Sequence, residues 1–145
     1  MIYNFIGNMR ELIANYLRSY YYLDSLAKKN ALNHIACEES IFSYINGQQI
    51  WIVGLYNNET NDLRVKIVPN RDGPTFKSFI EKHIPIGNYV VTDTWNGYSF
   101  LDSPASGYIH HTLVHGRNEF GREVDTTSKI EGTWANLKRI IKKNV

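Results

Sequence analysis

The sequence is poor in the residues that mark a stapled or membrane-embedded protein. Cys37 is its single cysteine, which excludes an internal disulfide and any zinc site built on cysteines. Reducing, intracellular surroundings are the expectation, nuclear if the host is eukaryotic. No apolar run reaches the length of a membrane span and no signal-peptide pattern is present, so no membrane partner is expected. Repeats and low-complexity stretches are missing too. Excess charge is scarce: 16 basic against 14 acidic side chains leave +2, so bulk charge identifies no partner.

What is present is enough apolar material for one ordinary domain: 145 residues, 43% hydrophobic and 13% aromatic. Met9, Leu12, Ile13, Leu17, Tyr21 and Leu23 recur every three to four positions and predict a helix from about Asn8 to Lys28. The period then changes. Strands are expected over His34 to Tyr44 and Gln48 to Tyr56, joined by a tight Asn46-Gly47 hairpin, and over Leu63 to Val68. Pro69 to Gly73 breaks the pattern, and Pro74 opens a helix that runs to His83. A short buried strand, Asn88 to Thr92, and a helical turn at Tyr98 to Leu101 follow. Ile109 to Val114 reads as a fifth strand, Gly116 to Thr127 as a loop, and Ser128 to Lys143 as the last helix. Thr126, Thr127 or Ser128 is its N-cap. This order predicts an α/β fold, a mixed five-stranded sheet covered by helices. By analogy it is the element order of the ribonuclease H fold.

The chemistry-bearing residues lie at three places. Asp93 follows the apolar Tyr89-Val90-Val91 and so stands at the carboxyl end of a strand, where open α/β sheets place ligands. A turn-forming Asp before Trp95-Asn96-Gly97 is the plainer reading. Glu131 lies in the first turn of the last helix, where a carboxylate also favours the helix dipole. Lys138 follows after two helical turns, on the same face. Glu38 and Glu39 are adjacent on the first strand and point to opposite faces; Ile35, Cys37 and Glu39 share one, Ala36, Glu38 and Ser40 the other. Acids in a central strand are costly unless paired or metal-bound, whereas on an edge strand they are simply solvated. Acids from separate elements with a cation nearby suit a magnesium site acting on phosphodiesters.

Lys129, Lys138, Arg139, Lys142 and Lys143 make the carboxyl-terminal helix basic, with Glu131 its one acid. Such a stripe fits a phosphate backbone, or is a solvated helix face. His110, His111 and His115 cluster on the fifth strand; zinc finds no supporting ligand pattern, and His115 fits better beside a phosphate. Trp95 and Trp134 are expected in the core rather than as stacking platforms.

Taken in order, these pieces resemble the transposase domain of the ISXO-type insertion sequences and their relatives, the Merlin transposons. Both are DDE-superfamily enzymes with a ribonuclease H-like core. The likeness runs from about Ile35 to Lys143. It is carried by Glu38-Glu39-Ser40, Trp51-Ile52-Val53-Gly54, Val68-Pro69-Asn70-Arg71, Thr92-Asp93-Thr94-Trp95-Asn96-Gly97-Tyr98, Gly107-Tyr108-Ile109-His110-His111 with His115 and Phe120, and Lys129-Ile130-Glu131-Gly132-Thr133-Trp134 with Leu137-Lys138.

The resemblance implies that Asp93 and Glu131 are the second and third catalytic, metal-holding acids, and that Lys138 is the basic residue after the third. The first acid should be an Asp where this chain has Glu38, and Val114 stands where an Asn is usual. The implied cofactor is Mg2+ or Mn2+, two ions. The implied partners are DNA, as terminal inverted repeats and target, and further copies of the chain. Lys129, Lys138, Arg139, Lys142, Lys143 and His115 are the expected DNA-binding residues. Residues 1–33 are expected to be a helical remnant and 34–145 the catalytic domain. Enzymes of this kind carry a DNA-binding region ahead of that domain, so a truncated copy or a separate catalytic piece is expected. The alternative expectation is a non-catalytic descendant that binds DNA or a protein.

Overall fold

Asn46 and Gly47, with φ of 50° and 77°, turn strand β1 (His34–Ile45) back into β2 (Gln48–Asn57). Two successive positive φ values make the hairpin turn that suits the right-handed strand twist, and an Asn-Gly pair adopts it with least strain. β3 (Leu63–Val68) pairs antiparallel with β2. Helix α1 (Gly73–His83) then carries the chain across to β4 (Tyr89–Thr92), which lies parallel to β1 on its free side. Two 3-10 turns, Asn96–Asp102 and Pro104–Ser106, lead to β5 (Ile109–Thr112), parallel to β4, and helix α2 (Ser128–Asn144) follows. This computed structural model describes residues 7–11, 13, 32–113 and 126–144, apart from the side chains of 141, 143 and 144.

The sheet order is β3-β2-β1-β4-β5, a mixed five-stranded sheet of the ribonuclease H-like kind that the sequence led us to expect. Both faces are covered, which is why β2 reads as an almost unbroken apolar run instead of an alternating one. One face packs Ile35, Val53, Leu55 and Val90 against Phe76, Phe79 and Ile80 of α1, with Tyr98 and Leu101. The other packs Ala36, Ile50, Ile52 and Leu63 against Ile130, Trp134 and Leu137 of α2. Met9 and Ile13 are buried in this second cluster, while Gly7, Asn8, Arg10 and Glu11 are exposed.

Local chemistry fixes the helix starts. Asp72 caps α1 by accepting from the Thr75 N–H at 2.8 Å, and Pro74 occupies its first turn. At α2 the Thr126 hydroxyl accepts from the Ser128 N–H at 3.1 Å. The β2–β3 turn grips the same end: Asn58 Nδ2 donates to the Thr126 carbonyl at 2.9 Å. Lys129 Nζ in turn donates to the Asn58 carbonyl at 2.9 Å and to Asn61 Oδ1 at 3.1 Å.

Strand boundaries agree with the expected ones to within a residue or two. β5 ends at Thr112, although Leu113 N–H still donates to the Thr92 carbonyl at 2.8 Å. Most of the expected first helix, His115, Phe120 and most of the loop before α2 lie outside the described residues.

Candidate active site

β1 is the middle strand of the sheet, so Glu38 and Glu39 are not the solvated acids of an edge. Their side chains part to opposite faces, as strand alternation requires. Glu39 goes to the α1 side, beside Tyr98. Glu38 goes to the α2 side and is 7% exposed.

The sheet register brings the second acid to the first. His34, Ile35 and Ala36 of β1 pair with Tyr89, Val90 and Val91 of β4. The chain leaving β4 then brings Asp93 near enough to Glu38 for its charge to act on that carboxyl. On the other side of Glu38 the partner in β2 is Gly54. The ring of Trp134 fills the place of a Gly54 side chain: a Cβ there would lie 2.4 Å from Trp134 Cη2. That close approach seats α2 on the sheet and delivers Glu131, one turn earlier.

Further along, Lys138 Nζ lies 5.7 Å from the Phe42 ring, so α2 runs beside β1 in the same sense, from Glu131 near Glu38 to Lys138 near Phe42. Seven helical residues and four strand residues span similar lengths, about 10 and 13 Å, which lets the two elements stay aligned.

The Glu38 and Glu131 carboxyl groups share a hydrogen bond. Burial, then the charge of Glu131, the bond to it, and the charges of Asp93 and Glu39 push Glu38 up to about 8. Glu38 is therefore held well above the ordinary carboxylate range. Thr127 Oγ1 donates to Glu131 Oε1 at 3.3 Å, a second restraint on that carboxylate. Asp93 Oδ1 accepts from the Trp95 N–H at 2.9 Å. So the turn-forming role and the place beside Glu38 are both real: the turn aims the carboxylate.

Behind Asp93, Thr92 Oγ1 donates to the Asp93 carbonyl at 2.8 Å and meets His110 Nε2 at 2.7 Å. His110 Nδ1 meets Asp102 Oδ1 at 2.7 Å. This row of side chains orders the end of β4.

Glu131 and Asp93, from separate elements, thus both act on Glu38. Among the described residues, however, no group of three His, Cys, Asp or Glu side chains is arranged as it stands to hold a metal ion. The donor set itself fits a hard divalent cation: carboxylate oxygens only, with more like charge than the site tolerates unprotonated.

Several other expected residues take different parts. Lys129 is committed to the β2–β3 turn, so its ammonium docks the helix. Arg139 donates to Asn136 at 3.3 Å on the exposed face, and Lys142 is exposed. His111 faces Tyr89, ring centroids 5.1 Å apart, while His110 points to Asp102, so these two histidines do not face a common ion. Trp134 is a core residue. Trp95 packs half-buried against Phe76 and Tyr98. Sequence reasoning offered Thr127 only as an N-cap, and it treated Arg71 and Tyr98 only as part of a likeness. Nothing in the spacing of Arg71 and Tyr98 marks them, because Glu39, which both contact, lies on β1.

The family profile described as ISXO2-like transposase domain matches residues 43–145. That span contains Asp93 and Glu131 and begins after Glu38. Among solved structures, one similar chain belongs to the simian T-cell lymphotropic virus intasome in complex with PP2A regulatory subunit B56 gamma. It has 12% identity and a TM-score of 0.46 over 91% of this chain, which spans 50% of that one. A comparison with curated proteins finds no match.

Proposed function

Because the chain belongs to the ISXO2-like transposase domain family, we propose that it is the catalytic domain of a DNA transposase. It would cut a DNA strand at the element's terminal repeats and join the freed 3′ end to target DNA. The observation that carries this reading is that Glu131, from the first turn of α2, and Asp93, from the end of β4, both act on the buried Glu38 of β1.

Glu38, Asp93 and Glu131 would hold divalent cations, Mg2+ or Mn2+, two in number. Such ions supply a nucleophile at neutral pH and charge stabilisation of the reacting phosphoryl oxygens. The chain's own residues do the remainder. The Trp95 N–H and the Thr92 hydroxyl hold Asp93 in one orientation. Thr127 holds Glu131, and Trp134 on Gly54 keeps α2 from sliding along the sheet. Lys138 and the exposed Arg139 and Lys142 follow the acid along α2 and would pair with backbone phosphates, with Lys143 and His115 as further contacts expected from the sequence. DNA and additional copies of the chain are the partners proposed.

The test is strand cleavage and joining on DNA carrying the element's terminal repeats, with Mg2+ or Mn2+. Asp93→Asn keeps the bond from the Trp95 N–H but removes a charge, and is expected to abolish both steps. Wild-type rates in that variant would overturn the assignment.

One feature favours a second reading, a descendant that binds DNA without cutting it. Glu38 is one methylene longer than the Asp usual at this place, and burial beside Glu131 holds its carboxyl well above the ordinary range. Under this reading the protein is inert with either metal, and Glu38→Asp restores cleavage. Under the first, Glu38→Asp only changes the rate.

A further inference from the structure

Beside the three acids lies a cation that neither the family match nor the mechanism employs. Arg71 sits between β3 and α1. Its Nη2 and Nε donate to Glu39 Oε1 at 2.8 and 3.1 Å. Its guanidinium lies 4.3 Å from the centroid of the Trp95 ring and 5.0 Å from that of Trp51. Glu39 is 3% exposed, and its other oxygen accepts from the Tyr98 hydroxyl. Cys37 Sγ donates in turn to that hydroxyl at 3.8 Å. Each attachment point matters for the site. Glu39 follows Glu38 directly on β1. Trp95 supplies the N–H that aims Asp93. Trp51 belongs to β2, at the level of Ile41. Arg71 thus touches both the strand carrying the first acid and the turn carrying the second, as Tyr98 does from within the core.

The planar guanidinium does two jobs that an ammonium would divide. It pairs with the buried carboxylate next to Glu38, and it lies against two rings at once. We propose that Arg71, acting through Glu39 and Trp95, is a positioning residue that fixes Asp93 relative to Glu38 and so sets the site's affinity for divalent cations. This rests on the metal-site reading given above.

Mn2+ binding to the protein without DNA, followed through the free-ion electron paramagnetic resonance signal, tests it apart from activity. Arg71→Met and Arg71→Lys are each expected to weaken Mn2+ binding by about tenfold or more, the scale seen when partners of metal ligands are removed. Phe79→Leu, a core substitution under α1 and away from the acids, serves as a stability control and is expected to bind as wild type does. Wild-type affinity in Arg71→Met overturns the proposal. So does an equal loss in Phe79→Leu, since Arg71 would then act only through general stability. If Arg71→Met does not fold by circular dichroism, Glu39→Gln is read in the same assay. It keeps a partner for Tyr98 and weakens the grip on Arg71, and undiminished affinity there is equally fatal. If the wild type binds no Mn2+, or Asp93→Ala binds it as tightly, the metal-site reading fails first and this proposal falls with it.

Discussion

Glu38 and Glu39 are neighbours in sequence with opposite fates, and the difference is their partners. Glu39 has a guanidinium and a hydroxyl, so it is held as a buried ion. Glu38 is buried with other acids beside it, so its carboxyl holds a proton well above the ordinary range. The folded value, about 8, is above the ordinary 4.5, so in that interval the fold binds a proton that the unfolded chain releases. The stabilisation from Glu38 is therefore complete below about pH 4.5 and is lost as pH rises through about 8. In metal-free buffer Glu38→Gln should flatten the fall in Tm between about pH 5 and about pH 9, and should melt above the wild type at the alkaline end. Parallel melting curves across that range would show that the excess proton is absent. The pair Glu38-Glu39 was visible in the sequence, and so were their opposite faces. Which of them would be neutralised was not, because Arg71, Tyr98 and Glu131 reach them from other elements.

At the scale of elements, the seat of α2 on the sheet decides whether the third acid arrives. The contact is a large ring against a position with no side chain. Gly54→Ala would place a methyl 2.4 Å from Trp134 Cη2, so the helix must shift or the indole must turn within a packed core. A cost of about 1–3 kcal/mol in urea unfolding is expected, with Glu131 carried away from Glu38 and activity reduced more than stability. Adding Trp134→Phe, which removes the clashing part of the ring, should recover part of the stability. If Gly54→Ala alone leaves both stability and activity unchanged, α2 is not seated by this contact. Element boundaries were readable for a local reason: the hairpin signal, the breaker at Pro69, Pro74 and the helical period all act within a few residues. The closeness of Gly54 to Trp134 was not readable. A glycine in a strand announces some close approach, but not the partner.

Across the whole molecule, the basic residues of α2 divide into two kinds. Lys129 is bound to the β2–β3 turn, whereas Lys142 is exposed. Lys142→Met should weaken DNA binding and lower the slope of log affinity against log salt by about 1. Lys129→Met should leave that slope unchanged and lower stability instead, by about 1–3 kcal/mol. The opposite pattern would place Lys129 at the DNA. By itself the sequence determined the α/β class, the five strands, the two faces of β1 and the likeness to a transposase domain, because each is written in local periodicity, turn chemistry or ordered motifs. The tertiary structure alone decided that Glu131 and Asp93 act on Glu38, that Lys129 serves the fold and that Arg71 joins Glu39 to the Trp95 turn. These depend on parallel register and on how a helix beds against a sheet. Both are set by packing between segments far apart in the chain, and no local pattern encodes them.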